Sequence, residues 1–209
     1  MRLNSWKSLL ATTGVILAIG LLLSAMAQPP HMQAVQAPVH ELVLNLDPSQ
    51  TKVHWNVDST LHMVHGTFDL KSGSIHFDPA TGHADGSIVV NAVSGQSGNS
   101  SRDQRMHKEI LETSKFPDAI FRPTSIEGKV ATSGPSDFKL HGVFSVHGAE
   151  HDLIATVHTE PSGDTWKGTA RFDVPYIAWG IKDPSNFLLK VKPVVNVELE
   201  LVGTSKASN

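Results

Sequence analysis

Twelve histidines, all beyond residue 30, are the first side chains whose chemistry asks for a use. An imidazole can hold a divalent metal or move a proton near neutral pH. His62-Met-Val-His65 has the spacing of a ligand pair only on a helix or turn, because residues three apart on a strand point to opposite faces. His147 and His151 bracket a turn signal and can face one another across a hairpin. His54, His76, His141 and His158 fall on the polar positions of alternating runs, where a solvated face is their ordinary role. The chain has no cysteine, which excludes disulfide scaffolds, Fe–S clusters, thiol nucleophiles and cysteine-rich zinc sites. With no compact helical His/Glu motif either, no metal ligand and no cofactor are assigned.

Gly95-Gln-Ser97-Gly-Asn99 approaches a nucleophile elbow but lacks its last glycine, and no βαβ rhythm surrounds it. A flexible connection explains it better. No glycine-rich phosphate cradle occurs, and the twenty scattered carboxylates form no dyad recognisable from spacing. No catalytic residue is assigned, so the expected protein is not an enzyme. The most informative cluster is Ser101-Arg-Asp-Gln-Arg-Met-His-Lys-Glu-Ile-Leu-Glu112. It gathers Arg102, Arg105, His107 and Lys108 in two turns, and Asp103 and His107 are spaced for a helix-face pair. Met106, Ile110 and Leu111 form an apolar stripe at helical spacing. Such an element is either an amphipathic lid or a gate whose cations, Arg102, Arg105 and His107, hold a polar head group.

The elements that must position this cluster are strands. Val53, Trp55 and Val57 alternate with polar neighbours, as do Phe68 and Leu70, then Ile75 and Phe77. Phe138 to Val146, Trp166 to Val174 and Val195 to Leu201 repeat the pattern. Strict alternation marks antiparallel strands with one dry face and one wet face. Turn signals divide them into strands near 51–57, 64–71, 74–78, 84–93, 118–127, 136–147, 151–159, 165–174 and 191–202. The segment 101–112 is the only helix, with Ser100 or Ser101 as its cap and Pro117 beyond its end. A sheet this long closes or leaves edges exposed, so the expected fold is all-β, an eight-stranded antiparallel barrel with one helical insertion. A barrel of that size can hold one small ligand. A solid barrel serving as an envelope interaction module, and a His-rich metal-binding or hydrolytic protein, are the alternatives.

The first 27 residues differ from all that follow. Arg2 and Lys7 precede fifteen uncharged residues, Leu9 to Leu23, and Ala25-Met-Ala27 offers a small-x-small cleavage site. This is the layout of a secretory signal peptide over residues 1–27. Fifteen helical residues reach only ~22 Å, short of the ~30 Å hydrocarbon core. Cleavage after Ala27 removes two cations and no acid, so seventeen basic residues become fifteen against twenty acidic, a net charge of −5. The expected product is periplasmic or secreted, with no electrostatic reason to bind nucleic acid. Residues 28–41, with three prolines, read as a flexible leader. The barrel domain is expected over 42–203, with a tail at 204–209.

Several strings together resemble the YceI-like family of exported, lipocalin-like, polyisoprenoid-binding proteins. They are Gly66-Thr-Phe68, Gly73-Ser-Ile75, Arg102-Asp103, Met106-His-Lys108, Phe116-Pro-Asp-Ala-Ile-Phe121, Leu140-His-Gly-Val-Phe-Ser-Val-His-Gly148 and Pro175-Tyr-Ile-Ala-Trp-Gly-Ile181. The resemblance spans about residues 43–203. It implies an eight-stranded barrel, an elongated apolar cavity and a long-chain lipid ligand, with no established catalytic residues. The polar hairpin His147–His151 and the helix end Leu111–Lys115 depart from the family pattern, which leaves the lipid itself open.

The expected cavity residues are Trp55, Val57, Phe68, Ile75, Phe77, Phe121 and Phe144 from dry strand faces, with Met106 and Ile110 from the lid. Tyr176 and Trp179, in an irregular stretch, are expected at the mouth. The expected partners are the lipid and a membrane protein that donates or accepts it. Oligomeric state is left open, a homodimer being one option.

Overall fold

The computed structural model describes residues 41–207. The expected signal segment and nearly all of the leader lie outside the described residues. Nine strands run through the domain: β1 (Leu42–Leu46), β2 (Lys52–Asp58), β3 (Met63–Phe77), β4 (Ala84–Gln96), β5 (Asp118–Gly128), β6 (Ser136–Val146), β7 (Ala149–Ser162), β8 (Thr165–Val174) and β9 (Val195–Ala207). Between β4 and β5 lie a short helix, α1 (Ser100–Arg105), and a π-helical turn, Met106–Ile110. No helix of the described residues is long and apolar enough to cross a membrane.

Every pairing is antiparallel, in the order β1-β3-β2-β9-β8-β7-β6-β5-β4, and β3 also pairs with β4 to close the ring. The closed barrel has eight strand positions because β1 and β2 share one. Both lie between β3 and β9: β2 pairs Trp55 with Gly66 and Val197, while β1 pairs Leu44 with Ile75 and Ser205. The step between them, 47–51, is filled by Thr51, which is buried and exchanges hydrogen bonds with the Val202 backbone through its hydroxyl.

The strand connections separate into two ends. The turns at 78–83, 129–135 and 163–164 close one end. There Phe77 meets Trp166 edge-on at 5.9 Å and the Trp166 indole N–H donates to Ser205 Oγ at 2.9 Å. At the other end lie the 59–62 turn, the 97–117 segment with α1, the His147-Gly148 turn and the 175–194 segment. His147 and Gly148 both take positive φ, 52° and 79°, as a two-residue turn between right-twisted strands requires.

The structure corrects several expectations. Residues 64–71 and 74–78 are one strand, not two. Gly73 marks a close approach to the Leu46 side chain, and the irregularity is taken up by register shifts against β4. Residues 204–207 are not a tail, because β1 gives β9 a partner there. The helix is capped by Asn99, whose side chain accepts from Arg102 N at 3.0 Å, rather than by Ser100 or Ser101. It also does not continue as an α-helix to 112. Leu111 N reaches back five residues to Met106 O at 2.8 Å, widening the last turn.

Candidate functional site

Alternation decides the wall of the site. In β2, Val53, Trp55 and Val57 are buried while their neighbours are not, and in β7 Leu153, Ala155 and Val157 do the same. Near the closed end these inward side chains fill the barrel. Toward the open end they do not, and a cavity of about 540 Å³ remains, within the ~300–1,000 Å³ usual for small-ligand sites. Its lining is almost wholly aliphatic and aromatic, drawn from strands β2 to β9. Such a wall offers no charge to a reacting group and favours an apolar occupant.

The π-helical turn and α1 lie over the open end. Met106, Ile110 and Leu111 contribute apolar surface to the cavity, and Ser101, Arg102 and Arg105 contribute the polar edge. Arg102 is largely spent on structure: Nε donates to Ser97 Oγ at 2.6 Å and a terminal nitrogen to Ser97 O at 2.8 Å. Arg105 is held more loosely, 3.6 Å from Glu109. His107 points elsewhere, with Nε2 2.8 Å from Gly95 O and Nδ1 3.4 Å from the Thr113 hydroxyl. Asp103 pairs with Ser97, not with His107.

The opposite rim consists of two loops tied together. Ser59 and Val191 form a β-bridge, Thr60 N donates to Lys190 O at 2.9 Å, and Lys192 N donates to Asp58 O at 2.8 Å. Ser59, His62, Pro184, Leu189 and Val191 face the cavity from this rim. Two wall residues keep a buried polar atom with no partner among the described residues, Trp55 Nε1 and Tyr176 Oη.

With this geometry in view, the YceI-like domain model matches residues 44–203, most of the chain. The chain belongs to the YceI-like domain family. A UPF0312 protein of Shewanella sp. strain MR-4 is 29% identical over 140 residues, covering 66% of this chain and 71% of that one. The Burkholderia cenocepacia BcnA structure superposes with a TM-score of 0.64 at 16% identity, covering 76% of this chain and 99% of its own. A structure described as a polyisoprenoid binding domain from Saccharophagus degradans gives a TM-score of 0.59 at 14% identity, covering 78% and 98%. At these identities the superpositions establish the YceI-like barrel and nothing finer.

Of the expected cavity residues, the YceI-like barrel places Trp55, Val57, Phe68, Met106, Ile110, Phe121, Phe144 and Tyr176 on the cavity wall. Ile75 and Phe77 point inward but lie in the filled closed end. Trp179 is not among the residues lining the cavity: it stacks on His151 and packs 6.0 Å from Phe144 on the inward side of β6 and β7. His147 and His151 do not face one another. His147 turns outward to Glu112 at 3.1 Å and to the Phe116 ring, while His151 shares the inward face with Leu153. Small and aliphatic wall residues such as Ile88, Leu153 and Ala155 escaped the sequence reading, and Val195, read there as inward-facing, was not among the expected cavity residues.

The chemistry that a catalytic or metal reading needs is dispersed. Ser97 bonds Asp103 and Arg102 and no histidine, and the Ser59 hydroxyl donates to the His62 backbone oxygen at 2.7 Å. Among the described residues one trio, Glu41, His76 and Asp85, offers ligand atoms within 4.8 Å of one another. It lies on the outer surface, with His76 Nδ1 3.7 Å from Glu41 and 3.5 Å from Asp85.

Proposed function

We propose that this chain is an exported carrier that shelters one long-chain amphiphile, a polyisoprenoid or a similar lipid, inside its barrel. The observation that carries the reading is the apolar cavity of about 540 Å³ beneath a lid with a basic edge. Each CH₂ moved from water into such a wall contributes about 0.8 kcal/mol, so ten give about 8 kcal/mol before the chain is ordered. That supplies affinity with no catalytic group. Membership of the YceI-like family and the fold shared with a polyisoprenoid binding domain support the same ligand class. The signal-like segment 1–27 supports a periplasmic or secreted location, where a water-insoluble lipid needs a carrier. In this reading the apolar chain occupies the wall from Val53 to Phe144, and Arg105 meets the head at the edge of the lid.

The test is mass spectrometry on the protein as purified, native first and then after organic extraction. One prenyl-type lipid per chain is the expected result. A barrel that is always empty and takes up no isoprenoid from a panel would end this reading.

A further inference from the structure

Two loop tips at the cavity mouth carry large apolar side chains into solvent. Phe187 is 95% exposed, Leu188 84% and Leu61 75%, and Met63 beside them is 46% exposed. These residues are not strays on a floppy loop. Asn186 builds a tight turn by accepting from Leu188 N at 2.9 Å and Leu189 N at 2.8 Å, and Asn186 N donates to Leu189 O at 2.9 Å. Phe187 and Leu188 stand at its apex, and the bonds from Ser59 and Thr60 to Lys190 and Val191 hold the Leu61 tip alongside.

We infer that this rim docks the barrel mouth-down on a lipid bilayer, with Phe187, Leu188 and Leu61 inserted among the acyl chains. The same loops line the cavity on their other side, through Leu189, Val191 and His62. Apolar surface is therefore continuous from the tips into the barrel, which gives a lipid a path that never meets water. The shape favours a bilayer over a protein. The four side chains expose on the order of 500 Å², below the ~800 Å² per partner of a stable protein interface, and they protrude as tips where a protein partner needs a face. A soft bilayer accepts tips. Most of the nearby cations have a carboxylate beside them: Lys192 pairs with Asp58 at 2.8 Å, and Lys182 at 3.0 Å and Arg105 at 3.6 Å share Glu109, which leaves Arg105 the looser of the two. The exposed Lys190 beside the tip makes no salt bridge among the described residues. Docking is driven mainly by apolar insertion, with a lysine at the tip adding a minor, salt-screened attraction, so half-molar salt leaves most of it in place.

The inference rests on the carrier reading, and its test separates the two. The processed chain from Gln28, which holds every strand of the barrel, is mixed with phosphatidylcholine vesicles and sedimented. Partitioning that persists in half-molar salt is expected. Phe187→Ser combined with Leu188→Ser lowers it at least tenfold, Leu61→Ser lowers it by less, and Ile154→Ser, an exposed apolar change on the outer wall, leaves it unchanged. The inference is overturned if pure lipid vesicles fail to retain the protein, if the double variant partitions like wild type, or if salt alone abolishes binding. In parallel, uptake of a water-soluble fluorescent farnesyl probe is measured without vesicles. The double variant takes it up normally. Failure of wild type to take it up would count against the carrier reading, while the vesicle result still decides docking.

Discussion

The His151 imidazole lies flat on the Trp179 indole, with ring centroids 4.2 Å apart and planes 3° from parallel. This stack pins the 175–181 turn to β7, and Phe144 completes it from β6. His151 Nε2 is buried without a partner among the described residues, so the ring is held by its face and not by hydrogen bonding. Trp179→Ala should lower stability by about 1–3 kcal/mol in urea denaturation. His151→Phe, which keeps an aromatic face and removes the orphan nitrogen, should cost much less than His151→Ala. Equal losses in the two His151 variants would mean that the stack is not what holds the turn.

Tyr176 is the chain's single tyrosine, and burial with Asp183 nearby pushes its pKa up to about 12. Phenolate absorbance should therefore appear near pH 12 and not near 10. Because the folded value lies above the unfolded one, this contribution to stability is complete below about pH 10 and is lost as the pH rises through the folded value. Tyr176→Phe should flatten that part of the alkaline stability profile.

Ala155 and Ala170 are inward wall residues with room beyond them. Ala155→Trp should fill much of the cavity and reduce probe uptake at least tenfold, with the β-sheet circular dichroism spectrum intact. Unchanged uptake would place the ligand elsewhere.

Because Arg102 is bound to Ser97, Arg105 is the cation left to meet a head group. Arg105→Ala should weaken prenyl phosphates about three- to tenfold and prenyl alcohols hardly at all, in line with a partly exposed charge-assisted contact. Competition titration against one fluorescent prenyl probe measures both, and equal losses would remove the head-group role.

His158 sits between Asp137 at 2.8 Å and Glu160 at 3.3 Å, and these carboxylates, Asp137 foremost, raise its pKa above 6.5. The raised folded value makes its contribution complete below the unfolded pKa and lost as the pH climbs through the folded one. The stability difference between wild type and His158→Gln should be larger near pH 5.5 than near pH 8.5, and small at both because the site faces water. A larger difference at the higher pH would contradict the assignment.

Which residues face inward was legible in the sequence, because a period of two leaves no other choice for Trp55, Phe121 or Leu199. How far along the barrel axis each one sits was not. Ile75 and Phe77 carry the same alternation as Trp55, yet β3 runs on past Gly73 into the filled end, and nothing local distinguishes a bulge there from a turn. The five residues of β1 were missed because no turn chemistry precedes them, and their pairing with β9 is long-range. His151 was misjudged by its nearness to a turn, although it has the parity of Leu153 and Ala155. The π-helical turn had no readable sign, since it depends on Thr113 and Glu112 folding back beneath His107, Glu112 with φ of 45°.

The seam shared by β1 and β2 has a consequence for synthesis. Both strands, among the first of the domain to be made, pair with β9, the last. No ribosome can complete this barrel until residues 195–207 have emerged, and a ring that closes through such distant partners closes slowly. Under the export reading proposed above, that delay matters: while its final strand is missing, the chain has no finished tertiary structure for a translocase to undo.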